Sequence, residues 1–283
     1  MKKKGRYIGE VIRHYAALLM ISVFVLLPYY WMIVTAVKPK EEVMISPSTL
    51  MPSRISLDNF SEVWQMIPLG TYMKNSLIVS LAVTVLSVIL ATLCGYSISR
   101  FIRRRAQKFS LVLMLCTQLI PGIVTMISLY FVMYNLGLTN TYTGLIIAYV
   151  VWAVPFCTLM IRGYFDAAIP KEVEESARVD GCTQLGTFFR ICLPISIPGI
   201  ISTAIFAFIQ AWNEYMWASI LLSSNDLKPV SVGIYDFIGQ YGANTKMALT
   251  MTAGIFITLP AVVIFGFLQK YLISGLSAGA VKG

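Results

Sequence analysis

Charge is scarce in this sequence. Asp, Glu, Lys and Arg make up 12% of its 283 residues, about half the share of an average soluble domain. With 57% hydrophobic residues and a mean hydropathy of +0.75, the polar shell is too thin for a water-facing globule. Histidine occurs once, at His14, which excludes a histidine metal cluster and a Ser-His catalytic set. The dipeptide Gly-Lys is absent, so there is no Gly-Lys-Ser/Thr phosphate loop. None of the five cysteines lies in a segment expected outside the cell, which excludes a disulfide framework. Cys94, Cys116, Cys157, Cys182 and Cys192 all read as small buried apolar side chains.

What the sequence has instead is long apolar runs. A hydrocarbon core about 30 Å thick needs about 20 apolar residues in a helix. Six stretches qualify, near Tyr15–Val37, Ser76–Ile98, Phe109–Tyr134, Thr143–Ile161, Ile197–Leu222 and Met247–Leu268. They are continuously apolar rather than alternating, so the expectation is all-α with six transmembrane helices, not a barrel. The first run is too long for a signal peptide and reads as a retained helix. Sixteen Lys and Arg fall on one set of connections and six on the other, which orients the chain N-in and C-in. The same count explains the net charge of +9 as topology rather than nucleic-acid binding. The expected layout is a cytoplasmic tail over 1–14, one transmembrane domain over 15–270 and a cytoplasmic tail over 271–283. That domain holds an outer segment over 38–75 and a cytoplasmic loop over 162–197.

In the outer segment, Asp58 to Met66 reads as a short helix with Asp58 as N-cap, and Phe60, Val63, Trp64 and Ile67 on one face. The long inner loop reads as two short helices. Pro170 suits the first turn of one, and Gly181 suits a left-handed C-terminal position. Thr183 is placed to cap a second helix that Leu193-Pro194 ends. Glu172, Glu174, Glu175 and Asp180 form an acidic cluster among otherwise basic inner segments. They make either a solvated face or a contact surface.

This loop resembles the EAA signature of ATP-binding-cassette (ABC) importer permeases. Glu175-Ser176-Ala177 is followed after three residues by Gly181, and after nine more by Ile191-Cys192-Leu193-Pro194. The one departure is Ser176 for the first Ala of the signature. Asn59-Phe60, Asn75-Ser76, Trp212-Asn213-Glu214-Tyr215 and the ending Leu276 to Gly283 resemble the carbohydrate branch, most nearly the kind similar to the second membrane subunit of the maltose importer.

The resemblance implies a permease that pairs with a companion permease, beneath which an ATPase dimer binds ATP and Mg. An extracellular solute-binding protein delivers sugar from above. It implies no cofactor and no enzymatic activity for this chain. It further implies that Glu174, Glu175, Ser176, Ala177, Asp180, Gly181, Ile191, Leu193 and Pro194 form a coupling-helix loop seated on the ATPase. Gly279, Lys282 and Gly283 would form a second contact with it.

For the pathway, an ionisable residue inside a span points to function by default, and Glu214 is the clear instance. Gln210, Asn213, Glu214 and Trp217 would share one face of an unbroken fifth helix. Such a stripe suits either sugar contact or hydrogen-bonded bracing between helices. Gln118, Gly122 and Thr125 form a second stripe, beside Pro121, which loosens its helix. An ion-coupled secondary transporter would instead need midplane carboxylates and an internal repeat. A membrane scaffold would leave the inner loop without a purpose.

Overall fold

The computed structural model describes residues 2–43, 49–241 and 246–280, with side chains described for 10–43, 49–239 and 246–271. Among them there is no strand. The helices are α1 (Lys2–Ala36), α2 (Lys40–Val43), α3 (Asp58–Met66), α4 (Leu69–Arg100), α5 (Arg104–Leu119), α6 (Gly122–Asn135) and α7 (Tyr142–Ala168). They continue with α8 (Lys171–Val179), α9 (Gln184–Thr187), α10 (Leu193–Ile195), α11 (Ile197–Asn213), α12 (Met216–Leu221), α13 (Val230–Tyr241) and α14 (Met247–Ala280). A π-helical turn, Phe188–Cys192, joins α9 to α10.

Four helical segments are long and apolar enough to cross a membrane: Glu10–Ala36, Leu69–Arg100, Tyr142–Ala168 and Met247–Tyr271. At 32 residues, α4 reaches about 48 Å, well over the hydrocarbon thickness. Two further stretches pass only as bent pairs. Arg104–Leu119 and Gly122–Asn135 meet at 95°, and Gln184–Ile195 and Ile197–Asn213 at 71°. Counting each pair as one span gives six.

The breaks have local causes. Pro121 has no N–H to continue α5 and sits with extended backbone ahead of α6. The expected third span is therefore sharply bent, well beyond a loosened helix. The expected fifth helix is not continuous either: it stops at Asn213, and Glu214 is extended (ψ 130°).

The chain divides into two compact units. In the first, Met1–Leu69 with Ile234–Leu259, α3 forms where expected, and Val63 and Ile67 are buried. Its N-cap is Leu57, not Asp58, which is already the first helical residue and whose carboxylate accepts the Ser56 hydroxyl at 2.8 Å. Phe60 and Trp64 both lie edge-on to Phe256, and Asn59 donates to the Ala36 and Lys38 carbonyls at 2.9 and 3.0 Å.

The second unit, Gly70–Gly233 with Pro260–Gly283, holds the main core. Here α7 packs against α5, α11 and α12. Thr141 caps α7 by accepting from the Gly144 N–H at 3.1 Å. Asn75 donates to the Asp226 and Lys228 carbonyls at 2.8 and 2.9 Å and accepts from the Tyr142 hydroxyl at 2.7 Å. α7 runs to Ala168, past the expected end of the fourth span, so Arg162 belongs to the helix and pairs with Asp166 at 2.7 Å. All five cysteines are free. Cys157 and Cys192 are buried as expected, whereas Cys94 and Cys116 are exposed on the outside of the bundle.

Candidate functional site

Local chemistry shapes the inner loop much as its sequence suggests. Pro170 precedes α8 as its N-cap residue. Gly181 takes φ +88°, a left-handed conformation that residues with a Cβ adopt at a cost. The Thr183 hydroxyl then accepts from the Gly186 N–H at 3.1 Å, starting α9.

Leu193-Pro194, however, does not end the second helix. The π turn shifts the bonding so that the Leu193 N–H reaches the Phe188 carbonyl, five residues back. Pro194 then falls in the first turn of α10, where a missing N–H is tolerated.

α8 has two different faces. Glu174 and Ala177 are buried, while Glu175, Ser176, Val179 and Asp180 are exposed. Apolar exposure is high for this small loop: Val179 is 87% exposed, Leu185 71% and Phe189 58%. Ile191 and Leu193 are half-buried and Pro194 is exposed.

Glu174 departs from the expectation of a docking residue because its carboxylate is spent inside the chain. One oxygen takes the Arg100 Nε–H at 2.5 Å and the other the Tyr96 hydroxyl at 2.9 Å. Tyr96 also packs with Phe165, Phe188 and Cys192 in one buried cluster. Arg100, at the C-terminal end of α4, donates further to Ser99 Oγ at 2.7 Å and to the carbonyls of Phe165 and Ile169 at 3.2 and 2.7 Å. Those carbonyls lie at the C-terminus of α7, where positive charge is favoured, and that of Phe165 also accepts the Ile169 N–H at 3.3 Å. Asp166 accepts from Ser99 and lies 3.6 Å from Arg100 Nη1.

Sequence reasoning took Arg100 only as one topological charge among many. Its partner lies 74 residues away, and nothing local signals the pairing.

The second site is a cavity of about 460 Å³, within the range usual for small-molecule sites. Gln118, Gln210, Glu214 and Trp217 all line it, with Gly122, Tyr149, Trp152, Phe156 and Phe206. Asn213, the last residue of α11 before the break at Glu214, does not line it, nor does Thr125 on α6. The ring of Trp152 lies 6.3 Å from that of Trp217, and Phe156 stacks on Phe206 at 4.5 Å. The Glu214 carboxylate accepts the Tyr149 hydroxyl and the N–H groups of Trp217 and Ala218, the last two at 2.8 and 3.2 Å. It thus caps α12 and braces α7, while still facing the cavity. Tyr149 and the two phenylalanines escaped sequence reading because an aromatic residue in an apolar helix carries no signal of its direction.

Residues 87–278 match the family described as binding-protein-dependent transport system inner membrane component. The chain belongs to this family. It is a membrane-embedded permease of an ABC import system. Among its curated relatives is the diacetylchitobiose uptake system permease protein DasC of Streptomyces coelicolor, 34% identical over 256 residues, covering 90% of this chain and 91% of that protein. Another is the trehalose/maltose transport system permease protein MalG of Thermococcus litoralis, 32% identical over 267 residues and covering 94% of each. Among solved structures, the permease fold is shared with a bacterial ABC transporter involved in import of the acidic polysaccharide alginate. The TM-score is 0.77 at 21% identity, covering 94% of this chain and 96% of that one.

Proposed function

We propose that this permease forms half of a pathway for a sugar or oligosaccharide and couples it to a separate ATPase through the outward face of α8. Sugar as the cargo is supported by relatives named for diacetylchitobiose and for trehalose and maltose. The cavity supports it too: indole and phenyl rings suit the apolar face of a pyranose, and Gln118 and Gln210 suit its hydroxyls. A companion permease supplies the other half, and an extracellular solute-binding protein delivers the sugar.

The proposed topology has six spans, with each bent pair crossing once and both ends in the cytoplasm, as the distribution of Lys and Arg favours. Residues 1–14 and 271–283 are then cytoplasmic, 38–75 lie outside, and the cytoplasmic loop expected over 162–197 begins in practice after α7. ATP and Mg sit on the ATPase, and this chain holds no cofactor and performs no hydrolysis itself. Gly279 lies near the end of α14. Lys282 and Gly283 lie outside the described residues. All three are proposed as a second ATPase contact.

The observation that carries this reading is the division of α8. Its Glu174 and Ala177 face inward, leaving Glu175, Ser176, Val179 and Asp180 open beside Leu185 and Phe189. Small and acidic groups with exposed apolar neighbours suit close contact with another protein. The test is purification in mild detergent alongside a separately encoded ATPase. The expected result is its recovery, with Glu175→Lys abolishing substrate-stimulated ATP hydrolysis while the chain still inserts in the membrane. Failure to recover any ATPase, or unchanged stimulation in Glu175→Lys, overturns the proposal.

A further inference from the structure

The Arg100 side chain is only 5% exposed and that of Glu174 only 4%. A buried guanidinium is costly unless its donors are satisfied. Here Nε is spent on Glu174, Nη1 on Ser99 and Nη2 on the carbonyls of Phe165 and Ile169. Three helix segments therefore meet on one planar group: the end of α4, the end of α7 and the middle of α8. Tyr96, one turn back on α4, holds the other oxygen of Glu174 at 2.9 Å. Between α7 and α8 the backbone offers only Ile169 and Pro170, a short link that by itself would let α8 pivot. The side chains remove that freedom.

We propose that Arg100 is a positioning residue for coupling. Through Glu174 it fixes α8 to the inner ends of α4 and α7, so that force on the exposed face of α8 moves both long helices as one body. This rests on the reading that α8 receives the ATPase. Energetic coupling between distant sites travels through packed, hydrogen-bonded groups of this kind. Lysine would not substitute, since a single ammonium lacks the planar fork that serves a carboxylate and two carbonyls together.

The experiment uses the full chain in complex with its companion permease and ATPase, with spin labels at Cys94 on α4 and at Lys171→Cys on α8, the other cysteines being replaced. Both positions are exposed and lie outside the face proposed for the ATPase. The label-to-label distance is measured without nucleotide and after trapping with ATP and vanadate. The expected result is a single narrow distance, the same in both states. With Glu174→Ala the distribution broadens and its mean differs between states by more than about 2 Å, the scale of helix shifts in switching proteins. Glu174→Gln, which keeps an acceptor for Arg100 Nε, restores the narrow distance.

If Glu174→Ala does not assemble, Arg100→Lys carries the same expectation of a state-dependent distance. A parent distance that changes between states overturns the proposal, as does a distance that stays fixed in the variants. A parent chain that recovers no ATPase sinks the functional reading instead.

Discussion

The Tyr149 hydroxyl, on α7, donates to the Glu214 carboxylate at the break between α11 and α12. With the Trp217 and Ala218 N–H groups on the same carboxylate, Glu214 holds a helix start, a neighbouring helix and one wall of the cavity. Glu214→Ala removes all three bonds. The expected result is a loss of about 2 kcal/mol or more of stability and a loss of uptake larger than the loss of assembled complex. Tyr149→Phe, which removes one bond, should cost about 1 kcal/mol. Detergent melting curves and transport by equal amounts of purified complex measure both. Normal uptake by Glu214→Ala would make Glu214 a brace only.

Asn75 joins two distant parts of the second unit by giving both amide hydrogens to carbonyls and taking a hydroxyl in return. Asn75→Asp keeps the shape but sets a carboxylate oxygen against the carbonyls of Asp226 and Lys228. The expected cost is about 3 kcal/mol, read as a lower melting temperature. Asn75→Leu should cost less than Asp, since it leaves acceptors unpaired without adding repulsion. Equal melting of Asn75→Asp and the parent would contradict this account.

Gly181 is required for its backbone, not for space. Its φ is +88°, and a Cβ placed there meets nothing within 4 Å. Gly181→Ala should therefore cost about 1–2 kcal/mol, all of it conformational. Gly181→Asn should cost less, because Asn tolerates the left-handed region better. Protease cleavage rates within the loop, compared across the three chains, rank them. A larger penalty for Asn than for Ala would point to a steric role instead.

Glu42 makes the segment between α1 and α3 sensitive to acid. Its carboxylate accepts the backbone N–H of Ser53 at 3.0 Å and the hydroxyls of Thr49 and Ser53 at 2.9 Å each. The Ser53 N–H, then the Thr49 hydroxyl, hold its pKa below the ordinary 4.5 against a partial desolvation. A depressed folded-state pKa stabilises above the unfolded value and loses that contribution as pH falls through the folded one. Hydrogen-exchange protection at Ser53, taken relative to the intrinsic rate at each pH, should thus stay high at neutral pH and down to the ordinary carboxylate range, then fall below it. Glu42→Gln should exchange faster already at neutral pH and lose the acid response. An identical pH profile in Glu42→Gln would assign the transition to another group.

Much of the inner loop was legible because its signals are local. Pro170, Gly181 and Thr183 each act on their own backbone or on residues a few positions away; Gly181 and Thr183 take the expected places, and Pro170 stands one residue ahead of the first turn, as N-cap. The spans were legible as apolar lengths, but their breaks were not. The stripe drawn through Gln210, Asn213, Glu214 and Trp217 assumed an unbroken helix, whereas a carboxylate able to cap α12 made a break at Glu214 tolerable. The Leu193-Pro194 stop failed for a similar reason, since a π turn ahead of it absorbs the missing donor. Least legible was the face Glu174 would show. Its neighbour Glu175 is chemically identical yet points outward, and only the three-dimensional placement of Arg100 separates them.

The long sequence separation within the Arg100 cluster bears on how the chain is made. The carboxylate that neutralises Arg100 is synthesised 74 residues after it, about 4–15 s later at ordinary elongation rates. Throughout that interval the guanidinium lacks its nearest carboxylate, and burying it is costly. Only once α8 is made can this knot close and tie the ends of α4 and α7 to it.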